Sequence, residues 1–191
     1  GGAGFIGSNL VDRLIAGDHE VVVIDDESAI SSEQFYWNEK AENHKYDICD
    51  YSTIAPLFKD VDYVFHMAAE SRIPTAILNP IRATMVNSLG TCNVLQAARE
   101  NNVKRLIYSG TSSVYGLANS DSLSQDEQIP VDCLNPYSVT KYAGEELCRM
   151  YHKLYGFEVV ILRYFNVYGE RQPKSGQYAP VIGVFQKQVA S

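Results

Sequence analysis

Apolar and polar positions follow two alternating periods along the chain, and these predict helices and strands in turn. From residue 4 to residue 16 the apolar side chains recur every third or fourth position. That spacing predicts a helix burying Phe5, Ile6, Leu10, Leu14 and Ile15 and ended by Gly17-Asp18. "EVVVIDD" (20–26) is instead a continuous apolar run closed by two acids, the pattern of a strand buried in a parallel sheet. Residues 27–43 are polar and irregular, predicting a loop with a short helical turn. "KYDICD" (45–50) predicts a weak strand, "STIAPLF" a short helix opened by Ser52, and "VDYVFHMAA" (61–69) a strong strand. After Asn79-Pro80 a helical pattern runs to about Asn101, followed by the strand "KRLIYSG" and a polar loop over 117–135. Asn135-Pro136 supplies the N-cap and first-turn proline of another helix, which Gly156 ends, and "FEVVILRYF" returns as a strand.

Strands alternating with helices at this spacing predict an α/β fold, a Rossmann-like doubly wound parallel sheet with right-handed crossovers. No repeat or low-complexity segment interrupts it. Hydrophobic residues make up 46% and charged residues 20%, ordinary for a globular protein with a real core. The net charge of −7 comes with no basic stripe, which argues against a nucleic-acid partner. A phosphorylated ligand would therefore be held by local backbone N–H groups. Cys49, Cys92, Cys133 and Cys148 lie far apart without C-x-x-C or Cys/His clustering, as expected of free thiols in a reducing compartment with no metal or disulfide role. No stretch reaches the roughly 20 apolar residues that span a bilayer, and no signal peptide is visible, so a cytoplasmic location is the expectation.

The chemistry begins at "GGAGFIG". In a doubly wound sheet, the turn after the first strand brings backbone N–H groups and a helix N-terminus against a pyrophosphate. Gly1 would permit the tight turn, Gly4 the approach of the phosphates and Gly7 close helix–strand packing. Asp25, at the end of the next strand, can accept both hydrogen bonds of an adenosine ribose diol and would repel a 2′-phosphate, favouring NAD over NADP. In "NPYSVTKYAGEEL", Tyr137 and Lys141 are one helical turn apart and share a face. A phenol titrates near pH 10, roughly three units above neutrality, so it needs a nearby positive charge to act as a base. Lys141 can provide it and can also hold ribose hydroxyls. Thr111, Ser112 and Ser113 cluster at a strand end, where ligands of open α/β sheets bind.

Together these stretches resemble the extended short-chain dehydrogenase/reductase superfamily, and within it the NAD-dependent epimerase/dehydratase family, most of all its UDP-glucose 4-epimerases. The resemblance covers essentially the whole chain. It implies that Phe5 and Ile6 lie beside NAD, that Asp25 and Asp26 meet the adenosine ribose, and that Asp47 and Ile48 flank adenine. It implies that Met67, Ala68 and Ala69 pass the cofactor, that Asn87 supports the site, and that Tyr164 lies near the nicotinamide. Tyr137 and Lys141 match the catalytic tyrosine and lysine, with Thr111 as their hydroxyl partner. Ser71, Ser112 and Asn166 would join Thr111 and Tyr137 in contacting a nucleotide sugar, expected as a UDP-hexose.

The departures sharpen the expectation. Dehydratases of this family carry an Asp-Glu pair after the catalytic threonine, and decarboxylases a Glu two residues after it. Ser112 and Ser113 occupy those positions here, which points to a UDP-glucose/UDP-galactose type of 4-epimerase. Gly110 stands where many relatives have serine. A dehydratase or reductase, a catalytically silent NAD-binding module, and a piece that is inactive alone are the competing readings. The resemblance also implies a strand before Gly1, an NAD-binding domain over 1–169, the start of a substrate-binding portion over 170–191, and further chain beyond both ends. It implies homodimers formed through the helices around 81–101 and 136–155, whose outer faces would include Leu95 and Met150 unless these belong to the core.

Overall fold

The computed structural model describes residues 1–29, 34–117 and 130–173, together with Phe185 and Gln188. Helix α1 (Phe5–Ile15) follows the glycine turn directly, with Gly4 as its N-cap. It leads into β1 (Val22–Asp25), which pairs in parallel with β2 (Glu42–Lys45). A second parallel sheet has the order β3 (Tyr63–His66), β4 (Arg105–Thr111), β5 (Val159–Tyr164). Leu106 is in register with Val159, and Tyr63 with Arg105. Gly1 and Gly2 lie between the two sheets, where the resemblance places a strand leading into the turn. Both of their nitrogens donate to the Ile24 carbonyl. A Cβ on Gly1 would come within 2.4 Å of the Ala68 nitrogen, so the turn rests directly on the end of β3.

The main core lies under the three-stranded sheet. Leu106 and Tyr108 of β4 pack with Leu95, Ala98, Ile54, Phe58, Cys148 and Tyr151. A smaller core of Val11, Val23 and Ala41, with Ile15 and Trp37 against it, joins α1 to the first sheet. Phe5, Ile6, Leu10 and Leu14 are only half-buried, because the tightly packed face of α1 consists of Gly7, Ser8 and Val11. Small residues there bring the helix axis close to the glycine turn, and the larger side chains are displaced to its flanks.

Three elements differ from the sequence-based expectation. Strand β2 sits earlier than "KYDICD", since Glu42–Lys45 is the segment that pairs with β1, while residues 46–50 form the turn beyond it. Asp50, not Ser52, caps α2 (Tyr51–Ile54), accepting from Thr53 N and both neighbouring hydroxyls, and a 3₁₀ turn (Ala55–Phe58) follows. An unexpected helix, α3 (Ile73–Leu78), precedes the Asn79 cap. The long helix beyond is α4 (Pro80–Thr84), a π-helical turn (Met85–Gly90) and α5 (Thr91–Glu100). Such π turns recur at functional sites because the extra residue re-aims side chains. Here the turn aims the Asn87 amide at the end of β3. Leu95 is fully buried in the core, and Met150 is exposed. Most of the 117–135 loop and of the 170–191 segment lies outside the described residues.

Helix α6 (Pro136–Tyr155) is the longest element, at 20 residues. Asn135 accepts from Ser138 N at 2.9 Å in a reciprocal capping box, and Gly156 ends the helix in the left-handed region at φ 67°. The cap fixes where the helix starts, and so places Tyr137 in its first turn and Lys141 one turn further.

Candidate functional site

One cavity of about 630 Å³ runs across the ends of the strands. Its lining includes Gly1, Gly4, Phe5, Ile6, Gly7, Asp25, Asp26, Asp47, Ile48, Met67, Ala68, Ala69, Ser71, Thr111, Ser112, Tyr137, Lys141, Tyr164 and Asn166. All the residues singled out from the sequence for cofactor, catalysis or substrate therefore meet in one place, except Asn87. Asn87 is buried behind the lining: it accepts from Glu70 N at 2.8 Å and donates to Glu70 O and Thr140 Oγ1. It ties the loop after β3 to α6 without facing the cavity.

The glycines divide the work at one end. A Cβ on Gly7 would come within 2.2 Å of the Gly1 carbonyl oxygen, so this position admits no side chain while the turn keeps its shape. At Gly4 the nearest atom to such a Cβ is 3.8 Å away, leaving open space on the side facing the cavity. Asp25, 7% exposed, accepts from Ala3 N at 3.0 Å and from Glu27 N at 2.8 Å. Its carboxylate thus braces the glycine turn against the end of β1. Asp26 and Asp47 are bridged by the Arg82 guanidinium at 3.0 and 2.9 Å. Arg82 was not apparent from the sequence, because it arrives from α4.

At the other end stand Tyr137, Thr111 and Lys141. The Thr111 hydroxyl accepts from Ser113 N at 3.1 Å, and Thr111 lines the cavity together with Tyr137. Burial raises the Tyr137 pKa, while Thr111 and the positive charge of Arg72 act to lower it. Lys141, 3% exposed, has its pKa lowered to about 8 by burial. Arg72 also lines the cavity, and its Nε is buried with no hydrogen-bond partner among the described residues. The sequence carried no signal for it beyond its place beside Ser71. His66 is buried, bonded to Thr91 Oγ1 at 2.9 Å and kept neutral by burial and by the charge of Lys141.

Gly110 now has a physical reason. A Cβ there would meet Glu145 Oε1 at 3.0 Å and the Leu162 carbonyl at 3.1 Å. Glu145 is fully buried and paired with Arg163, whose Nη2 lies 2.8 Å from Oε2. The missing side chain makes room for that pair beneath the site.

These residues fit a dinucleotide. The turn presents backbone N–H groups with space at Gly4, Asp25 is held at the far wall, and Lys141 offers an ammonium to the cavity. Among the described residues, no group of His, Cys, Asp and Glu is arranged to hold a metal ion. No described helix is long and apolar enough to cross a membrane.

Comparison with known proteins agrees with this geometry. Residues 1–190 match the NAD dependent epimerase/dehydratase family. A putative UDP-glucose 4-epimerase of Methanocaldococcus jannaschii is 40% identical over 187 residues, covering 97% of this chain and 60% of the relative. The crystal structure of the Thermotoga maritima UDP-glucose 4-epimerase with UDP-glucose superposes with a TM-score of 0.90 at 32% identity, over 98% of this chain and 60% of that one. The Thermus thermophilus UDP-glucose 4-epimerase in complex with NAD gives 0.86 at 31% identity, over 98% and 59%. This chain spans about 60% of the length of the first two curated relatives it matches.

Proposed function

Because this chain belongs to the NAD dependent epimerase/dehydratase family, we propose that it forms the cofactor-binding and catalytic part of a nucleotide-sugar 4-epimerase of the UDP-glucose/UDP-galactose type. The observation that carries this reading is the distribution of acids around the cavity. The carboxylates lining it among the described residues are Asp25, Asp26 and Asp47, all at the end assigned to adenosine. At the Tyr137 end the lining offers hydroxyls and cations instead. Elimination of water or loss of a carboxyl group calls for a further acid or base there, whereas epimerisation needs one group that takes a proton and returns it.

NAD, when bound, supplies reversible acceptance of the C4 hydride. Tyr137, as phenolate, removes the proton of the sugar 4-hydroxyl, and Thr111 steadies the phenolate by donating to it. Lys141 holds the ribose hydroxyls of the cofactor, and its charge favours the phenolate. The 4-keto sugar turns over within the cavity, Tyr137 returns the proton, and the sugar leaves inverted at C4 with no net oxidation. Ser71, Ser112 and Asn166 line the path of the sugar.

Ile77, Leu78, Ile81, Met85 and Leu89 on α3 through the π turn, and Val139, Met150 and Leu154 on α6, are exposed apolar side chains on elements that pack against one another. We assign them to pairing with a second copy of the chain, to be checked by sedimentation.

The test uses the protein expressed from its complete reading frame. UDP-glucose is expected to yield UDP-galactose without net NADH release, and Tyr137→Phe to abolish conversion while retaining NAD. Net NADH, a persistent keto product, or normal turnover by Tyr137→Phe would refute the assignment.

A further inference from the structure

Lys141 is a buried ammonium with no carboxylate partner among the described residues. The acid nearest to it in sequence on α6, Glu145, already gives both oxygens to Arg163 and one to Arg149. What lies beneath the ammonium is an aromatic face: Nζ is 4.4 Å from the centroid of the Tyr108 ring. Tyr108 is fully buried on β4, and its hydroxyl donates to the backbone carbonyl of Lys141 at 3.0 Å. A Cβ on Gly144 would reach within 2.1 Å of the Tyr108 hydroxyl, so the glycine lets α6 settle onto the phenol. The His66 ring also packs against Tyr108, 5.7 Å between centroids.

We infer that Tyr108 is the positioning residue for Lys141, its ring holding the ammonium by a cation–π contact with the N–H groups free for the cavity. A carboxylate in that place would fix the lysine equally well but would cancel its charge. An aromatic face compensates part of the lost hydration and leaves the charge intact to act on Tyr137. The other titratable groups facing Lys141 do not duplicate this support. His66 on β3 is neutral, the Cys148 thiol on α6 is pushed up to about 12 by burial, and Glu145 is committed to its arginines. The inference rests on the reading of Lys141 given above.

The test replaces Tyr108 with phenylalanine and then with mono-, di- and trifluorinated phenylalanine, which weaken the ring's negative face at nearly constant shape. It uses the complete reading frame, with NAD affinity measured by calorimetry and the Tyr137 phenolate titrated as the difference from Tyr137→Phe. Stepwise fluorination is expected to raise the Kd for NAD about tenfold across the series and to move the phenolate titration upward. Tyr108→Phe is expected to keep the wild-type titration, and Tyr108→Leu to shift it. A Kd independent of fluorination would overturn the inference. So would a shift in Tyr108→Phe as large as in Tyr108→Leu, which would place the effect in the hydroxyl–carbonyl bond. Neither readout needs turnover, so failure of the epimerase reading would show separately.

Discussion

The Thr111 hydroxyl accepts from Ser113 N at 3.1 Å at the end of β4, and Thr111 acts to lower the pKa of the Tyr137 phenol. An oxygen already receiving an N–H donor keeps its own proton free to be donated, and the Tyr137 phenolate is the acceptor that the proposed mechanism gives it. Thr111→Val keeps the shape and removes that proton. The phenolate then loses a stabilising bond and the Tyr137 pKa rises further. The acid limb of the pH–rate profile is expected to move to higher pH, with kcat down on the order of 100-fold. An unshifted limb would separate Thr111 from the phenol.

Gly4 and Gly7 are expected to behave differently although both belong to one motif. Gly7→Ala drives a methyl group into the Gly1 carbonyl and should lower the melting temperature with or without NAD. Gly4→Ala has room in the fold, since its nearest contact is at 3.8 Å. It is expected to melt as the wild type does and to lose most of the stabilisation that added NAD confers. Melting curves of both variants with and without NAD decide the matter.

Lys141 makes the cofactor-free protein less stable than it would otherwise be. Its pKa in the folded chain is about 8, below the ordinary lysine value of 10.5. The unfolded chain therefore binds the proton more tightly, and the cost is fully present below pH 8. Stability attributable to this group should rise between about pH 8 and 10.5 and level off above, by up to about 3 kcal/mol. Lys141→Met is expected to raise the melting temperature at pH 7 while weakening NAD binding. Subtracting its pH–stability curve from that of the wild type isolates the effect. A difference that falls over this interval would contradict the sign.

Glu145 and Arg163 form a buried pair, so removing one partner should cost more than removing both. Glu145→Leu leaves the guanidinium without its main acceptor and is expected to lose about 3 kcal/mol in urea unfolding. Glu145→Leu with Arg163→Leu should recover part of that loss. If the double variant is no better than the single one, the pair contributes mainly through packing.

The features legible in the sequence share a property: each is set by spacing along one element or across one turn. Gly4 and Gly7 flank a helix start, Asp25 closes a strand, and Tyr137 and Lys141 are one helical turn apart. The residues that were not legible reach the site from a distance in the chain. Arg82 enters from α4 to bridge two acids just beyond the ends of different strands, and Tyr108 comes up from β4 beneath α6. Arg72 depends on a short helix, α3, whose six residues are too few for a helical period to stand out. The sequence pattern points to "KYDICD" rather than to β2 because "ENHK" has no apolar alternation. The position of β2 comes from pairing with β1, which local pattern does not report. Gly110 could be noted as unusual from the sequence, but its reason lay in Glu145, a turn beyond Lys141 on a different element.

The Asp25 carboxylate, bonded to Ala3 N on one side and Glu27 N on the other, links two loops that would grip different parts of a dinucleotide. On the proposed reading, one would reach the phosphates and the other the adenosine. Such loops could have been tuned separately, each drifting without disturbing its neighbour. Joined through one side chain, they move in common register, and a change that loosens one is transmitted to the grip of the other.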